Sequence, residues 1–96
     1  MFVVLLTYTR SLDQVDEQLS AHRAFLERQY QAGVFIASGP QIPRAGGVIL
    51  ARGLSREDLQ TLLAQDPFAL HGLASYSIVE FQARAVAPEM SAYIEN

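Results

Sequence analysis

Apolar and polar positions along the chain follow two different periods, and the changes between them mark six regular elements. Runs of β-branched, aromatic and leucine residues predict strands. Apolar positions that recur every three or four residues predict helices. The predicted strands cover residues 2–9, 34–38, 48–51 and 75–83, and the predicted helices cover residues 12–32 and 56–66.

Local signals place the ends of the two predicted helices. Ser11 and Gln14 have the spacing of a capping box at the start of the first helix. Ser55 is the predicted N-cap of the second helix. Pro67 disfavours helical backbone in the residue before it, so the second helix is expected to end at Asp66.

The order strand, helix, strand, strand, helix, strand indicates an α+β fold. Two βα halves of this kind form a ferredoxin-like βαββαβ domain, with a four-stranded antiparallel sheet and both helices on one face. The length of 96 residues suits one domain. We therefore expect a single domain over residues 1–96, with its core at about 2–83 and a C-terminal tail, 84–96, that turns helical.

The predicted strands carry apolar side chains on both of their faces. In the first strand, Val3 and Leu5 face one side, while Phe2, Val4, Leu6 and Tyr8 face the other. Two helices cover only one face of a sheet, and an apolar face of this size is rarely left in water. The simplest solution is a homodimer that forms through the second sheet face.

Composition excludes several functional classes. Cysteine and lysine are absent, which removes disulfides, thiolate nucleophiles, Schiff-base chemistry and the P-loop lysine. The net charge of −3 argues against a nucleic-acid partner. No stretch is long and apolar enough to span a membrane, and no basic leader precedes a cleavage site, so we expect a cytoplasmic protein with no membrane partner.

The strongest candidates for catalytic residues are His22 and Asp66. His22 lies in the middle of the apolar stripe of the first helix, and Asp66 lies at the end of the stripe of the second. Both stripes face the same side of the sheet, and a buried carboxylate needs a partner. An imidazole held by a carboxylate is a common general base. In the alternative interpretation, His22 is a core residue and Asp66 only ends a helix or caps the next turn through Phe68 or Ala69.

The remaining polar and glycine-rich positions give weaker signals. His71 precedes the fourth strand, where it either joins the site or is an exposed loop residue. Ser38, Gly39 and Pro40 end the second strand and form either a ligand contact or a plain turn. Two histidines without ligand spacing predict no protein-held metal. The sequence does not exclude haem binding through His22, although no pattern indicates it.

Several of these residues together resemble the YciI-like (YCII-related) family. The resemblance covers roughly residues 2–83. It implies the dimeric α+β barrel form of the ferredoxin-like fold and a His–Asp dyad, here His22 and Asp66. It also implies lyase or isomerase chemistry on small ring compounds. The residues that carry the resemblance are His22, Gly33, Ser38-Gly39-Pro40, Gly46-Gly47, Asp66-Pro67-Phe68 and Gly72-Leu73.

Three functional hypotheses follow from the sequence. The first is a small dimeric enzyme, with His22 as general acid/base and Asp66 as its orienting partner, that needs no cofactor. Its small-molecule ligand would contact Ser38, Gly39, Pro40, Phe68 and His71. The second is a non-catalytic small-molecule binding or accessory module. The third is an oxygenase, either cofactor-free or haem-dependent.

Overall fold

Four strands, four α-helices and one 3₁₀ helix follow one another along the chain. The computed structural model describes all 96 residues, Met1–Asn96. The strands are β1 (Phe2–Tyr8), β2 (Phe35–Pro40), β3 (Gly46–Ala51) and β4 (Ala74–Glu80). The helices are α1 (Leu12–Glu17), α2 (Leu19–Gln31), α3 (Arg56–Leu63) and α4 (Pro67–Leu70), and the 3₁₀ helix is Pro88–Tyr93.

The strands form one sheet in the order β2-β3-β1-β4, and every neighbouring pair is antiparallel. β1 lies in the centre, where Val4 pairs with Ile49 on one side and with Ile78 on the other. The predicted four-stranded, ferredoxin-like α+β fold is therefore confirmed.

The core lies between the sheet and the helices. Side chains alternate along β1, so that Phe2, Val4 and Leu6 are buried under the helices. Leu59 and Leu63 come down from α3 to meet them. The full cluster of buried apolar residues is Phe2, Val4, Leu6, Val15, Phe25, Phe35, Ile49, Ala51, Leu59, Leu63, Phe68 and Leu73.

The other face of the sheet carries apolar side chains with no helix over them. Val3 in β1 pairs with Leu50 in β3 and with Val79 in the edge strand β4. Leu5 is 37% exposed and Val79 is 52% exposed. The predicted alternation in β1 is thus correct, and one apolar face of the sheet is open.

The first predicted helix is interrupted. Gln18 has backbone angles of φ −105° and ψ 5°, which separate α1 from α2. The Gln18 N–H donates to the carbonyl of Val15, three residues back, which is a tighter turn than that of an α-helix. The Gln18 carbonyl accepts from the His22 N–H, and this is the first hydrogen bond of α2. Neither glycine nor proline occurs between residues 12 and 31, so the local sequence carries no signal for this break.

The second predicted helix ends earlier than expected, and Asp66 has a different role. α3 stops at Leu63, and Asp66 is the N-cap of the short helix α4, with extended angles of φ −60° and ψ 130°. Its side chain accepts from the Phe68 amide at 3.0 Å. The expectation that Asp66 ends a helix is wrong, because Pro67 both excludes helical backbone before it and suits the first turn of a new helix.

The strand ends and the tail also differ from the sequence expectation. β2 continues through Pro40, and β4 stops at Glu80 instead of 83. The tail turns helical as predicted and then returns to the start of the chain. There Glu95 accepts from the Met1 amino group at 2.7 Å and from the Ala83 amide at 2.7 Å. No helix is long and apolar enough to cross a membrane.

The glycine that opens β3 allows that strand to pair closely with β1. A Cβ atom at Gly46 would lie 1.7 Å from the backbone oxygen of Leu6. We therefore expect Gly46→Ala to lower the free energy of unfolding by more than about 2 kcal/mol. Gly39→Ala is the matched control, since nothing lies within 4 Å of its Cβ position. Equal thermal unfolding midpoints for the two variants would contradict this prediction.

Candidate active site

A cavity of about 520 Å³ lies between α2 and the sheet. β1, β2 and β3 form its floor, and the loop between β2 and β3 supplies one further residue. Half of the residues around it are hydrophobic. The lining residues are Leu6, Tyr8, Leu19, His22, Arg23, Leu26, Ser38, Gly39, Pro40, Arg44, Gly47, Val48, Ile49 and Phe68.

His22 enters this cavity from the first turns of α2. Its residue is 9% exposed, and its ring stacks on Phe68 with the centroids 3.8 Å apart and the planes 5° apart. Nδ1 of the ring lies 2.7 Å from Oδ1 of Asp66. The stacking and the hydrogen bond together leave the imidazole one orientation.

Asp66 lies behind His22 and is completely buried. Its Oδ1 accepts from His22 and from the Phe68 amide, and its Oδ2 accepts from the Tyr76 hydroxyl at 2.6 Å. Three donors are enough to stabilise a carboxylate away from water. The alternatives for Asp66 considered from the sequence, a histidine partner and a cap for Phe68, are both present in the structure.

The geometry determines which nitrogen of His22 is available. A carboxylate only accepts hydrogen bonds, so Nδ1 carries the proton in the bond to Asp66. Nε2 has no hydrogen-bond partner within the chain. Every buried side-chain nitrogen or oxygen does have such a partner, so Nε2 is not a buried atom. Nε2 is therefore accessible from the cavity that His22 lines, and in the neutral ring it is a proton acceptor.

The Tyr76 hydroxyl remains a donor over a wide range of pH. Burial raises the pKa of Tyr76 far above its ordinary value, and the hydrogen bond to the Asp66 carboxylate raises it further. Tyr76 reaches Asp66 from β4, where it pairs with Leu6 and so shares its helix-covered face.

A β-bulge in β2 turns Ser38 toward the cavity. The pairing with β3 shifts between Phe35 and Ala37, and beyond this point Ser38 lies opposite Ile49. A one-residue shift exchanges the two faces of a strand, so Ser38 shares the helix-covered face of Ile49. There its hydroxyl is hydrogen-bonded to that of Tyr30.

Two arginines line the cavity, and no carboxylate does. Arg44 pairs with Asp16 at 2.6 Å and lies over the ring of Tyr8. The hydrogen bond that Arg44 donates to Asp16 raises the pKa of Arg44. Arg23 forms no ion pair. No cluster of three or more histidine, aspartate or glutamate side chains that could hold a metal ion is present.

The structure brings most of the sequence-predicted site residues together. His22, Ser38, Gly39, Pro40 and Phe68 line the cavity, with Asp66 directly behind His22. His71 does not line it, because it ends α4 and is exposed. Sequence reasoning did not include Tyr76 among the site residues. Its alternation with Ile78 and Ala74 along β4 is the signal that places it on the covered face.

Comparison with known proteins gives a family and a fold. The model of a YCII-related domain matches residues 1–82. No curated protein sequence matches the chain. Among solved structures, a similar one is 5-chloro-2-hydroxyhydroquinone dehydrochlorinase (TftG) from Burkholderia phenoliruptrix AC1100, in complex with 2,5-dihydroxybenzoquinone. It has a TM-score of 0.69 and 19% identity, over 85% of this chain and 94% of that chain.

The contact between His22 and Asp66 predicts one tautomer. We expect ¹⁵N NMR of the neutral ring to show a protonated Nδ1 and an unprotonated Nε2. In Asp66→Asn this preference should weaken, because an amide offers a donor as well as an acceptor. His71 is exposed and serves as the internal control, unchanged by the substitution. An unprotonated Nδ1 at His22 in the wild-type protein would contradict the assignment.

Proposed function

This chain belongs to the YCII-related domain family, and we propose that it is a small enzyme acting on a small organic compound. In this proposal His22 is the general acid/base and Asp66 orients it. The reaction is proton abstraction beside a carbonyl or enol, followed by elimination or isomerisation. The observation that carries the proposal is the buried pair at 2.7 Å, which leaves Nε2 of His22 accessible from the cavity.

The proposed reaction starts when Nε2 of His22 takes a proton from a carbon of the substrate. The electron pair of the broken C–H bond moves toward the carbonyl, and Asp66 stabilises the imidazolium that forms. In an elimination, these electrons then expel a leaving group from the carbon β to the carbonyl. A chlorinated hydroquinone would instead react as its keto tautomer, in which the chlorine is on a saturated carbon. There His22 takes the proton of a remaining hydroxyl, and the O–H electron pair passes through the ring double bond to expel chloride. In an isomerisation, His22 returns the proton to a different carbon. This proton transfer requires no cofactor.

The cavity lining favours a flat, apolar compound that carries negative charge. Phe68 and aliphatic side chains supply the walls. Of the two arginines that line the cavity, Arg44 is paired with Asp16, so Arg23, which forms no ion pair, supplies the uncompensated positive charge. Ser38, Gly39 and Pro40 are the proposed contacts for polar groups of the substrate. The similar structure is named as a dehydrochlorinase of a chlorinated hydroxyhydroquinone, and a ring compound of that class is the proposed substrate type.

Turnover of 5-chloro-2-hydroxyhydroquinone, followed by chloride release, tests the role of His22. We expect His22→Ala to lower the rate by about 100-fold or more, the usual contribution of a general acid/base. The variant should stay folded, as circular dichroism would show. Arg28→Ala is the control, because Arg28 lies exposed on the same helix outside the cavity.

Two results would change the functional assignment. Undiminished turnover in His22→Ala would remove His22 as the base and leave it as a core residue. Saturable binding of 2,5-dihydroxybenzoquinone without turnover of the chlorinated compound would support the alternative, a non-catalytic binding module with the same cavity.

We further propose that two copies of the chain associate through the open face of the sheet. Val3, Leu5, Leu50 and Val79 form an apolar surface on this face, with no helix to cover it. Burying such a surface contributes about 25 cal/mol per Å². A second copy is the proposed occupant, since the face is present on every chain and complements itself about a twofold axis.

Sedimentation velocity at micromolar concentration tests this association. The wild-type protein should sediment with twice the mass of the 10.6 kDa chain. Leu5→Glu should yield monomers, because it places a charge in the centre of the apolar face. Leu12→Glu is the matched control, since Leu12 is also partly exposed, at 44%, but begins a helix. A wild-type monomer would overturn the proposal.

A further inference from the structure

Tyr76 is the donor that holds the second oxygen of the buried Asp66 carboxylate. The two other donors, His22 and the Phe68 amide, both bind Oδ1. Only the Tyr76 hydroxyl binds Oδ2, at 2.6 Å. Rotation of the carboxylate about its Cβ–Cγ bond would move both oxygens together, so the contact at Oδ2 controls the position of Oδ1.

We propose that Tyr76 is a positioning residue that fixes the Asp66 carboxylate and, through it, the tautomer and orientation of His22. This inference rests on the proposed function, in which His22 is the base. Tyr76 itself does not line the cavity beside His22. It acts only through Asp66, in a chain of hydrogen bonds that runs from β4 to the first turns of α2.

The surroundings of Tyr76 make its hydroxyl a dependable donor. Burial and the neighbouring carboxylate raise the pKa of Tyr76, so the phenol stays protonated at neutral pH. Besides Asp66, the polar side chains around it are Gln60, Arg56 and Ser77, and Arg56 lies 4.0 Å from Glu80. The backbone of Ala69 also bonds the Tyr76 hydroxyl. No other side chain donates to Oδ2 of Asp66.

The chain of hydrogen bonds connects two separate concave surfaces. His22 lines the cavity under α2, whereas Tyr76 lines a groove between α3 and β4 with Arg56, Gln60 and Leu63. Without the hydroxyl, Oδ2 would be a buried charged oxygen with no partner. The carboxylate would then rotate, or water would enter from this groove, to offset the free-energy cost of the unpaired charge. Either change would weaken the hydrogen bond to His22.

Tyr76→Phe removes the hydroxyl and keeps the ring. We expect the Nδ1 proton of His22 to exchange faster with water, so that its NMR signal broadens or is lost. The ¹⁵N shifts of the ring should move toward the average of two tautomers. Tyr93→Phe is the control, because Tyr93 lies in the tail and packs on Arg52 instead. Unchanged His22 signals in a folded Tyr76→Phe protein would overturn the proposal.

A second replacement keeps the test decisive if Tyr76→Phe fails to fold. Exchange of Tyr76 for 3-fluorotyrosine retains the hydroxyl and makes it a stronger donor. A stronger bond to Oδ2 draws negative charge from the Asp66 carboxylate and weakens its acceptance from Nδ1 of His22. The Nδ1 proton resonance of His22 should therefore move upfield of its wild-type position, while the ring keeps one tautomer. An unchanged resonance would contradict the proposal.

These measurements separate the positioning role from the proposed function. The NMR signals report the link from Tyr76 to His22 without any substrate. If His22→Ala leaves turnover unchanged, the general-base assignment fails while the link can still be present. If turnover depends on His22 but the Tyr76→Phe signals match the wild type, only the positioning role fails.

Discussion

The candidate site depends on one constraint, which is that the carboxylate of Asp66 is buried away from water. Asp66 is completely buried, and a carboxylate in that position is tolerated only when hydrogen bonds replace its water. The three donors come from α2, from the backbone of α4 and from β4. Satisfying Asp66 therefore requires that these three elements meet at one point, where the candidate site lies.

The sequence predicts those parts of the fold that produce a pattern of apolar and polar positions over many residues. The strand and helix order and the two faces of β1 follow from periodicity, and His22 and Asp66 stand out as polar residues among inward apolar positions. The break at Gln18 and the bulge before Ala37 each involve one residue. No local pattern encodes them, so sequence reasoning could not have placed them.

Tyr76 shows a different limit of sequence reasoning. The sequence around a tyrosine at an inward strand position shows the same apolar alternation whether its hydroxyl bonds water, a carbonyl or a carboxylate. Its partner, Asp66, is ten residues earlier and belongs to another element. The pairing depends on the register that places Tyr76 beside Leu6 and on the cap that turns Asp66 inward. Both are results of the assembled fold.

The same contacts account for the stability of the site and for its proposed chemistry. Every hydrogen-bonding position that Asp66 needs is occupied by a group of the protein, and one of these groups is Nδ1 of His22. That bond leaves Nε2 without a partner in the chain, and the stacking of the ring on Phe68 keeps it in place beside the cavity. A core histidine whose two nitrogens both bonded groups of the protein would have no nitrogen available for proton transfer. The accessible Nε2 is the feature that a purely structural histidine does not require.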